Sequence, residues 1–284
     1  VRTAPPLRRA FPTPELPLLT EAPYDSAPAL TVSIARPEQL TAELVAENPE
    51  IIYIPLELLH KVDLTPSVGK TRFCAVLPRI FRTKDEQYFR EVLQKTKGLD
   101  AVAVGNLGHL PIVEGLDLEV RGDFGMNVFN SRTLSFMKDN GIAAATVSFE
   151  LRHQQVRDLR KYIPCEAIVY GRLPLMVTEN CPTGNAGNCR GDKRLCERES
   201  YLSDRTGAKF PLMGQYGCRS EIENSLPMFL ADKDEWKRCG LRWARLRFTT
   251  ESPEECVAML REYRKEKAAY NGEFTRGLFY RGVE

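Results

Sequence analysis

The chain has 284 residues, of which 43% are apolar and 27% are charged, and this composition excludes collagen-like, disordered and coiled-coil classes. At roughly 150 residues per domain, the length fits one large domain or two small ones. The 40 basic and 38 acidic residues leave a net charge of +2, which is too small to bind nucleic acid through the overall field, so only a local basic patch could supply such binding.

The start of the chain has the composition of a linker. Seven prolines between Val1 and Pro28 and the lack of apolar periodicity predict a linker over residues 1–29 and a folded domain over residues 30–284. Because the first residue is valine, we expect a processed product or a piece of a longer protein, with upstream domains as its partners. The sequence has neither the roughly 18 uninterrupted apolar residues of a membrane span nor a secretory leader, so we predict no membrane association and a cytoplasmic location.

From Leu30 onward, short runs of branched apolar residues alternate with longer segments whose apolar residues recur every three or four positions. This alternation indicates βα units. The predicted strands are Leu30–Ala35, Ile51–Pro55, Phe73–Leu77, Ala101–Val104, Leu118–Arg121, Ala143–Val147, Ala167–Tyr170 and Arg245–Phe248. Eight strands at this spacing favour an α/β fold, a closed parallel (β/α)8 TIM-like barrel, over a doubly wound sheet.

Four segments between or after these strands carry an apolar stripe and are predicted as helices. They are Pro37–Asn48, Lys84–Lys97, Ser131–Asn140 and a last helix that starts after Ser252. The last one is the best marked, because Pro253 stands in its first turn and Glu255 completes a capping box with Ser252. The connection from Gly171 to Ala244 is far longer than one helix and two loops, so we predict a functional insertion after the seventh strand.

Four cysteines cluster in this insertion with the spacing Cys-x7-Cys-x6-Cys-x21-Cys: Cys181, Cys189, Cys196 and Cys218. Four thiolates suit tetrahedral zinc or an iron–sulfur cluster. The close Cys-x2-Cys pairs typical of zinc sites are absent, which favours the cluster, while a disulfide would need an oxidising compartment. Cys239 is a candidate substitute ligand. Cys74, Cys165 and Cys256 fall on strands or an apolar stripe and are predicted to be small core residues.

A sequence resemblance surrounds the cysteines. Residues 170–176 read Tyr-Gly-Arg-Leu-Pro-Leu-Met, and Asp204-Arg205 and Phe210-Pro211 follow the first three cysteines. On these residues the chain resembles the collagenase-like peptidase family, peptidase family U32. Residues 223–225, 247–249 and 274–277 are similar to the carboxy-terminal portion of its longer bacterial members. The resemblance covers residues 30–284, and the block 170–225 is its most specific part.

The resemblance implies a barrel in which Cys181, Cys189, Cys196 and Cys218 hold a 4Fe–4S cluster. It implies oxygen-independent hydroxylation, of a base in ribosomal or transfer RNA or of the ubiquinone ring, with prephenate as a possible cosubstrate in the RNA branch. The family name reflects proteolysis reported for a few members. Two departures stand out: Thr178-Glu179-Asn180 replaces the usual Ser-Gly-Arg before the first cysteine, and the central cysteines are spaced differently.

Polar residues just after the strands are the natural active-face candidates of a βα barrel. The predicted catalytic set is Glu57, Arg79, Asn127, Glu150, Arg172 and Arg247. Asn106, Asp123, Thr249 and Glu251 occupy similar positions. The arginines could hold a carboxylate or phosphate through two parallel hydrogen bonds, as an anionic cosubstrate or an RNA backbone requires.

Three functions therefore stay open. The first is iron–sulfur-dependent, oxygen-independent hydroxylation of RNA, or an accessory role in it. The second is a collagenase-like peptidase, although the sequence has no Gly-x-Ser-x-Gly or His-Glu-x-x-His motif, and His60, His109 and His153 resemble surface or cap residues more than catalytic bases. The third is a non-catalytic RNA-docking module with structural zinc, which would use the basic residues Arg190, Lys193, Arg194 and Arg198.

Overall fold

A closed barrel of eight parallel strands forms the body of the protein. The computed structural model describes residues 15–18, 24, 26–64, 70–187, 189 and 199–282. The barrel strands are β1 (Ala29–Ser33), β2 (Ile51–Pro55), β3 (Arg72–Val76), β4 (Ala101–Val104), β5 (Glu119–Gly122), β6 (Ala144–Thr146), β7 (Cys165–Gly171) and, after the insertion, β13 (Trp243–Arg247). The sheet closes because β13 pairs in parallel with both β7 and β1. The predicted barrel is confirmed, with each strand within a few residues of its expected place.

The connections between barrel strands contain short α-helices and single turns of 3-10 helix. The α-helices are α1 (Ala42–Ala46), α2 (Glu86–Lys95), α3 (Leu110–Val113), α4 (Ser131–Asp139), α5 (His153–Asp158), α6 (Pro182–Ala186) and α7 (Pro253–Glu262). The 3-10 helices are Pro37–Gln39, Leu56–Lys61, Thr83–Asp85, Leu107–His109, Phe124–Met126 and Glu235–Arg238.

The predicted helix ends agree with the structure where capping residues mark them. In α7 the Ser252 hydroxyl accepts from the Glu255 N–H at 3.2 Å, and the Glu255 carboxylate accepts from the Ser252 N–H at 2.7 Å. The predicted helix over Pro37–Asn48 is instead two pieces. Leu40 leaves the helical conformation, and the Thr41 hydroxyl then caps α1 by accepting from the Leu44 N–H at 3.1 Å.

Side chains alternate along the barrel strands between two cores. On β2, Ile52 and Ile54 belong to the outer core beneath the helices, whereas Ile51 and Tyr53 face the barrel interior. Cys74 lies in the interior cluster, and Cys165, Cys239 and Cys256 are buried in the outer core. Burial raises the pKa of the Cys165 thiol to about 12 and that of the Cys239 thiol to about 11. The prediction of core thiols is thus confirmed, and Cys239 belongs with them instead of with the candidate ligands.

The insertion folds mainly as a small antiparallel sheet. Its strands are β8 (Pro174–Thr178), β9 (Tyr201–Ser203), β10 (Lys209–Gln215) and β11 (Arg219–Glu223), in the order β8-β11-β10-β9. A further strand, β12 (Met228–Phe229), then returns antiparallel to β7. Because β8 follows directly after the end of β7, the small sheet lies at the carboxyl end of the barrel, where active sites of this fold are built.

Part of the predicted linker contacts the barrel. The Pro17 carbonyl accepts from the Tyr162 hydroxyl at 2.7 Å, Leu16 packs against the core, and the Tyr24 ring centre lies 5.8 Å from the Arg242 guanidinium carbon. Apart from residues 15–18 and 24, the segment before Ser26 lies outside the described residues. Among the helices that the structure describes, we find none with the length and apolar character of a membrane span.

Candidate functional site

A buried carboxylate occupies the middle of the barrel. Glu166 on β7 is 1% exposed and accepts hydrogen bonds from Thr31 at 2.6 Å, from Tyr53 at 3.0 Å and from Thr146 at 3.0 Å. The Arg245 guanidinium on β13 donates to it from two nitrogens, one of them at 2.9 Å. Burial opposes ionisation, yet the neighbouring guanidinium groups hold the pKa of Glu166 below its usual value.

Further ion pairs fill the interior above and below this carboxylate. Arg245 also donates to Asp123 at 2.7 Å and stacks its guanidinium carbon 3.6 Å from the centre of the Tyr53 ring. Arg121 donates to the Tyr53 hydroxyl at 2.9 Å and to Glu119 at 2.6 Å. Asp123, expected at the mouth, therefore serves to neutralise a buried arginine. The interior is a packed polar core, and barrels of this kind bind their ligands at the mouth above it.

Two predicted arginines meet at the mouth, and the small sheet holds both of them. Arg247 donates to both oxygens of Glu223, at 2.8 and 2.9 Å, and to one oxygen of Glu221 at 3.1 Å. Arg79, in the loop after β3, donates to the other oxygen of Glu221 at 2.9 Å. The two guanidinium carbons lie 5.3 and 5.9 Å from the centre of the Phe124 ring. Carboxylate recognition, the chemistry expected of these arginines, is present, but the carboxylates belong to the chain itself.

The third predicted arginine, Arg172, binds backbone. It donates to the Asn224 carbonyl at 3.0 Å, to the Ser225 carbonyl, and to the Thr250 hydroxyl at 3.4 Å. Its own carbonyl accepts from Arg247 at 2.5 Å. Arg172 thus fixes the exit of β11 over the barrel mouth.

The other predicted catalytic residues lie on separate loops around the mouth. Glu57 begins the loop after β2, where burial raises the pKa of its carboxyl although the backbone N–H of Tyr216 donates to it. Asn127 is exposed in a left-handed conformation with φ of 52°, and Glu150 is half-buried in the loop after β6. Among the described residues, the hydrogen bonds do not join Glu57, Asn127 or Glu150 to the arginines. The structure therefore does not gather these three residues with the arginines into one polar cluster.

His109 is buried, contrary to the expectation of a surface residue. Its Nδ1 accepts from the Gly105 N–H at 3.0 Å, which leaves Nε2 to donate to the Pro78 carbonyl at 3.1 Å. Burial lowers its pKa to about 4. The His109 imidazole thus joins the loop after β4 to the loop after β3. Because it is neutral and both nitrogens are engaged, it is a poor candidate for a proteolytic base.

Two of the four predicted ligand cysteines converge on the short helix α6. The Cys181 sulfur accepts from the Gly184 N–H at 3.2 Å, and the Cys189 N–H donates to the Gly184 carbonyl at 2.9 Å. A methyl group added at Gly184 would lie 3.2 Å from the Cys181 sulfur and 3.4 Å from the Cys189 Cβ. Only glycine leaves this space open between the two cysteines.

Cys218 lies on the turn between β10 and β11, with φ of 60°. Ser220 pairs with Thr178 in antiparallel register, which places this turn at the same end of the sheet as Cys181. Cys196 lies outside the described residues, as do Arg190, Lys193, Arg194 and Arg198. Within the described ranges no group of three or more Cys, His, Asp or Glu side chains is arranged to hold a metal ion. The donor chemistry of four thiolates fits a cluster, and the four-ligand site stays a prediction.

Glu179, one of the residues that replace the expected Ser-Gly-Arg, pairs with two arginines. Glu179 accepts from Arg219 at 2.7 and 3.1 Å and from Arg82, in the loop after β3, at 3.2 Å. Arg219 is only 6% exposed. This contact, two residues before Cys181, attaches the cysteine-bearing segment to the rim of the barrel.

The comparison with family models found a match over the part of the chain that carries three of the four cysteines. Residues 57–203, which run from the loop after β2 through the first three cysteines to β9, match the model of peptidase family U32. The chain belongs to peptidase family U32. The resemblance carried by the motif at residues 170–176 is therefore confirmed, while the activity within the family is a separate question. The comparison with curated proteins found no match.

Solved structures with similar folds include the U32 peptidase Mk0906, which is 11% identical, with a TM-score of 0.46 over 86% of this chain and 100% of that one. Thiamine phosphate pyrophosphorylase from Pyrococcus furiosus is 10% identical, with a TM-score of 0.38 over 85% of this chain and 98% of that one. A D-psicose 3-epimerase is 6% identical, with a TM-score of 0.33 over 49% of this chain and 73% of that one.

Proposed function

We propose that this U32 protein is the cluster-bearing barrel of an oxygen-independent hydroxylation system that acts on a base of ribosomal or transfer RNA. The observation that supports this most is the convergence of Cys181 and Cys189 on Gly184 at the rim of the barrel mouth. In this proposal Cys181, Cys189, Cys196 and Cys218 hold a 4Fe–4S cluster. A cluster bound there would supply or accept electrons, which amino-acid side chains alone cannot do.

The arginines of the mouth suit the proposed cosubstrate. Prephenate carries carboxylates, and Arg79 and Arg247 already bind two carboxylates in the structure. In the proposal they would orient such an anion, while the packed network around Glu166 keeps the arginine-bearing strand β13 rigid. We place the reaction in the cytoplasm, where thiolates stay reduced. We expect upstream domains of a longer chain to contribute RNA contacts.

The peptidase alternative has weaker support. His109 is neutral and engaged on both sides, and Cys74, Cys165, Cys239 and Cys256 are buried. A nucleophile needs an accessible thiolate and a base within hydrogen-bond reach. The exposed cysteines Cys189 and Cys218 are cluster ligands in our proposal, and the described residues at the mouth present paired arginines and carboxylates.

The test is a map of modified RNA bases in a strain that lacks the gene. We expect one hydroxylated base to disappear, to return with the unaltered gene, and to stay absent with Cys181→Ala or Cys189→Ala. Cys256→Ala is the matched control, because that thiol is buried in the outer core, and we expect it to restore the base. An unchanged set of RNA modifications would contradict the proposal. Cleavage of gelatin by the purified protein would favour the peptidase instead.

A further inference from the structure

The inner face of β11 is charged and buried. Arg219, Glu221 and Glu223 alternate along this strand toward the barrel and are 6%, 3% and 0% exposed. Both carboxylates bind arginines that the barrel itself contributes, Arg79 after β3 and Arg247 at the end of β13. Two carboxylates two residues apart are therefore seated on two guanidinium groups at the place where a barrel binds its ligands.

These contacts have a built-in electrostatic cost. Glu221 and Glu251 repel the Glu223 carboxylate, and burial together with this repulsion raises the pKa of Glu223 despite its two bonds to Arg247. A ligand carboxylate that is repelled less by its neighbours could replace the Glu223 carboxylate on Arg247. A cleft of about 10 Å³, bordered by Arg79, Gln215 and Glu221, lies beside the pair. It has room for about one water molecule, so a larger anion can enter only if the small sheet moves.

The rest of the small sheet is weakly anchored by apolar contacts. None of the residues of β8, β9 or β10 is fully buried, and Met176 on β8 is 57% exposed. Attachment to the barrel relies on polar contacts, such as Glu179 with Arg82 at 3.2 Å, and on Tyr216, which donates to Asp85 at 3.1 Å and packs its ring edge-on against Phe89 at 4.9 Å. Elements with little buried apolar area open locally at low free energy.

We propose that Arg79 and Arg247 form a binding site for a dicarboxylate, and that Glu221 and Glu223 occupy this site from within the chain, so that ligand entry requires the small sheet to lift from the barrel mouth. The inference deepens the proposed function, because it assigns a self-occupied state to the same mouth. The small sheet then competes with the ligand for the two arginines. The larger the fraction of molecules in which the sheet is closed, the lower the apparent affinity for the ligand.

The experiment uses succinate as the probe and needs neither RNA nor a metal, so its failure is distinguishable from failure of the proposed function. Hydrogen exchange of the β10 and β11 amides is measured in the wild-type protein with and without succinate, and with acetate as the monocarboxylate control. We expect succinate, but not acetate, to speed exchange of β11. Succinate affinity is then measured by calorimetry for the double variant Glu221→Gln/Glu223→Gln, which keeps side-chain volume and removes both charges. We expect a gain of about tenfold or more over wild type.

Asp204→Asn is the matched control, since it removes a carboxylate of the same insertion whose described hydrogen bonds come from Thr206 and Ala208 of its own turn. We expect its succinate affinity to stay at the wild-type level. Adding Arg247→Gln to the double variant should abolish the gain. A folded double variant that binds succinate no better than wild type would overturn the proposal. If the double variant does not fold, unchanged exchange of β11 in wild type with succinate overturns it equally.

Discussion

Replacing Glu166 by glutamine tests whether the ion-pair network inside the barrel determines its stability. Glutamine keeps the volume and one acceptor oxygen but removes the charge that Arg245 and Arg121 neutralise. Removing one partner of a buried ion pair costs about 3–5 kcal/mol, because the remaining charge stays buried without compensation. Asp123 continues to accept from Arg245 at 2.7 Å, so we expect the lower end, about 3 kcal/mol. This is a large fraction of the 5–15 kcal/mol that stabilises a typical domain.

The assay is urea unfolding followed by circular dichroism, for wild type and Glu166→Gln at neutral pH. Glu91→Gln is the control, since among the described residues Glu91 pairs with the exposed side chains of Gln87 and Lys95 on α2, and we expect an unchanged midpoint. The double variant Glu166→Gln/Arg245→Leu should lose less than the sum of the two single losses, because Arg245→Leu alone strands both Glu166 and Asp123, whereas the double variant strands only Asp123. A loss below about 1 kcal/mol for Glu166→Gln would show that the buried network does not determine stability, since breaking a satisfied buried pair is expected to cost more than that.

Three further predictions concern pH and backbone. The folded pKa of Glu166 is lowered, so its contribution to stability is present above the usual carboxyl pKa and is lost as the pH falls through the folded pKa. The free energy of unfolding should therefore fall more steeply with decreasing pH for wild type than for Glu166→Gln. Burial raises the folded pKa of Glu57, which costs stability above its usual pKa, so Glu57→Gln should be more stable than wild type at neutral pH, with the gain vanishing in acid; equal stability at neutral pH would contradict this. Gly171→Ala should cost more than about 3 kcal/mol, because the added Cβ would lie 1.9 Å from the Arg247 carbonyl oxygen at a φ of 115°. Gly141→Ala, at a φ of 75° with open space around it, should cost only about 1–2 kcal/mol, and similar losses in thermal unfolding would contradict the argument.

The barrel was predictable because its signal is local and repeated. Each buried parallel strand is a short apolar run, as in the Ala-Val-Ala-Val of β4, and each recurs after a connection of similar length. The capping residues of α7 fixed its start to the residue. The strands of the small sheet were missed because they are short, half-exposed and rich in polar residues, although the Arg-Ser-Glu-Ile-Glu of β11 does alternate.

The site was only partly predictable, because its partners are distant along the chain. Glu166 is a single charge in an apolar run, and its partner Thr31 is 135 residues away. The sequence predicted that Arg79 and Arg247 could hold a carboxylate or a phosphate, but it gave no sign that Glu221 and Glu223 supply the carboxylates. Cysteine spacing predicted a ligand set, which stays a prediction; the structure places Cys181 and Cys189 on either side of Gly184.

In the proposed function the cysteines of the insertion hold an iron–sulfur cluster. The most direct measurement is iron, acid-labile sulfide and zinc per chain in protein purified without oxygen, together with its absorption spectrum. We expect a brown protein with about four iron and four sulfide per chain, the content of a 4Fe–4S cluster. Cys181→Ala and Cys189→Ala should lose both elements, and Cys256→Ala should retain them. Stoichiometric zinc without iron, or iron that survives both ligand substitutions, would contradict the claim.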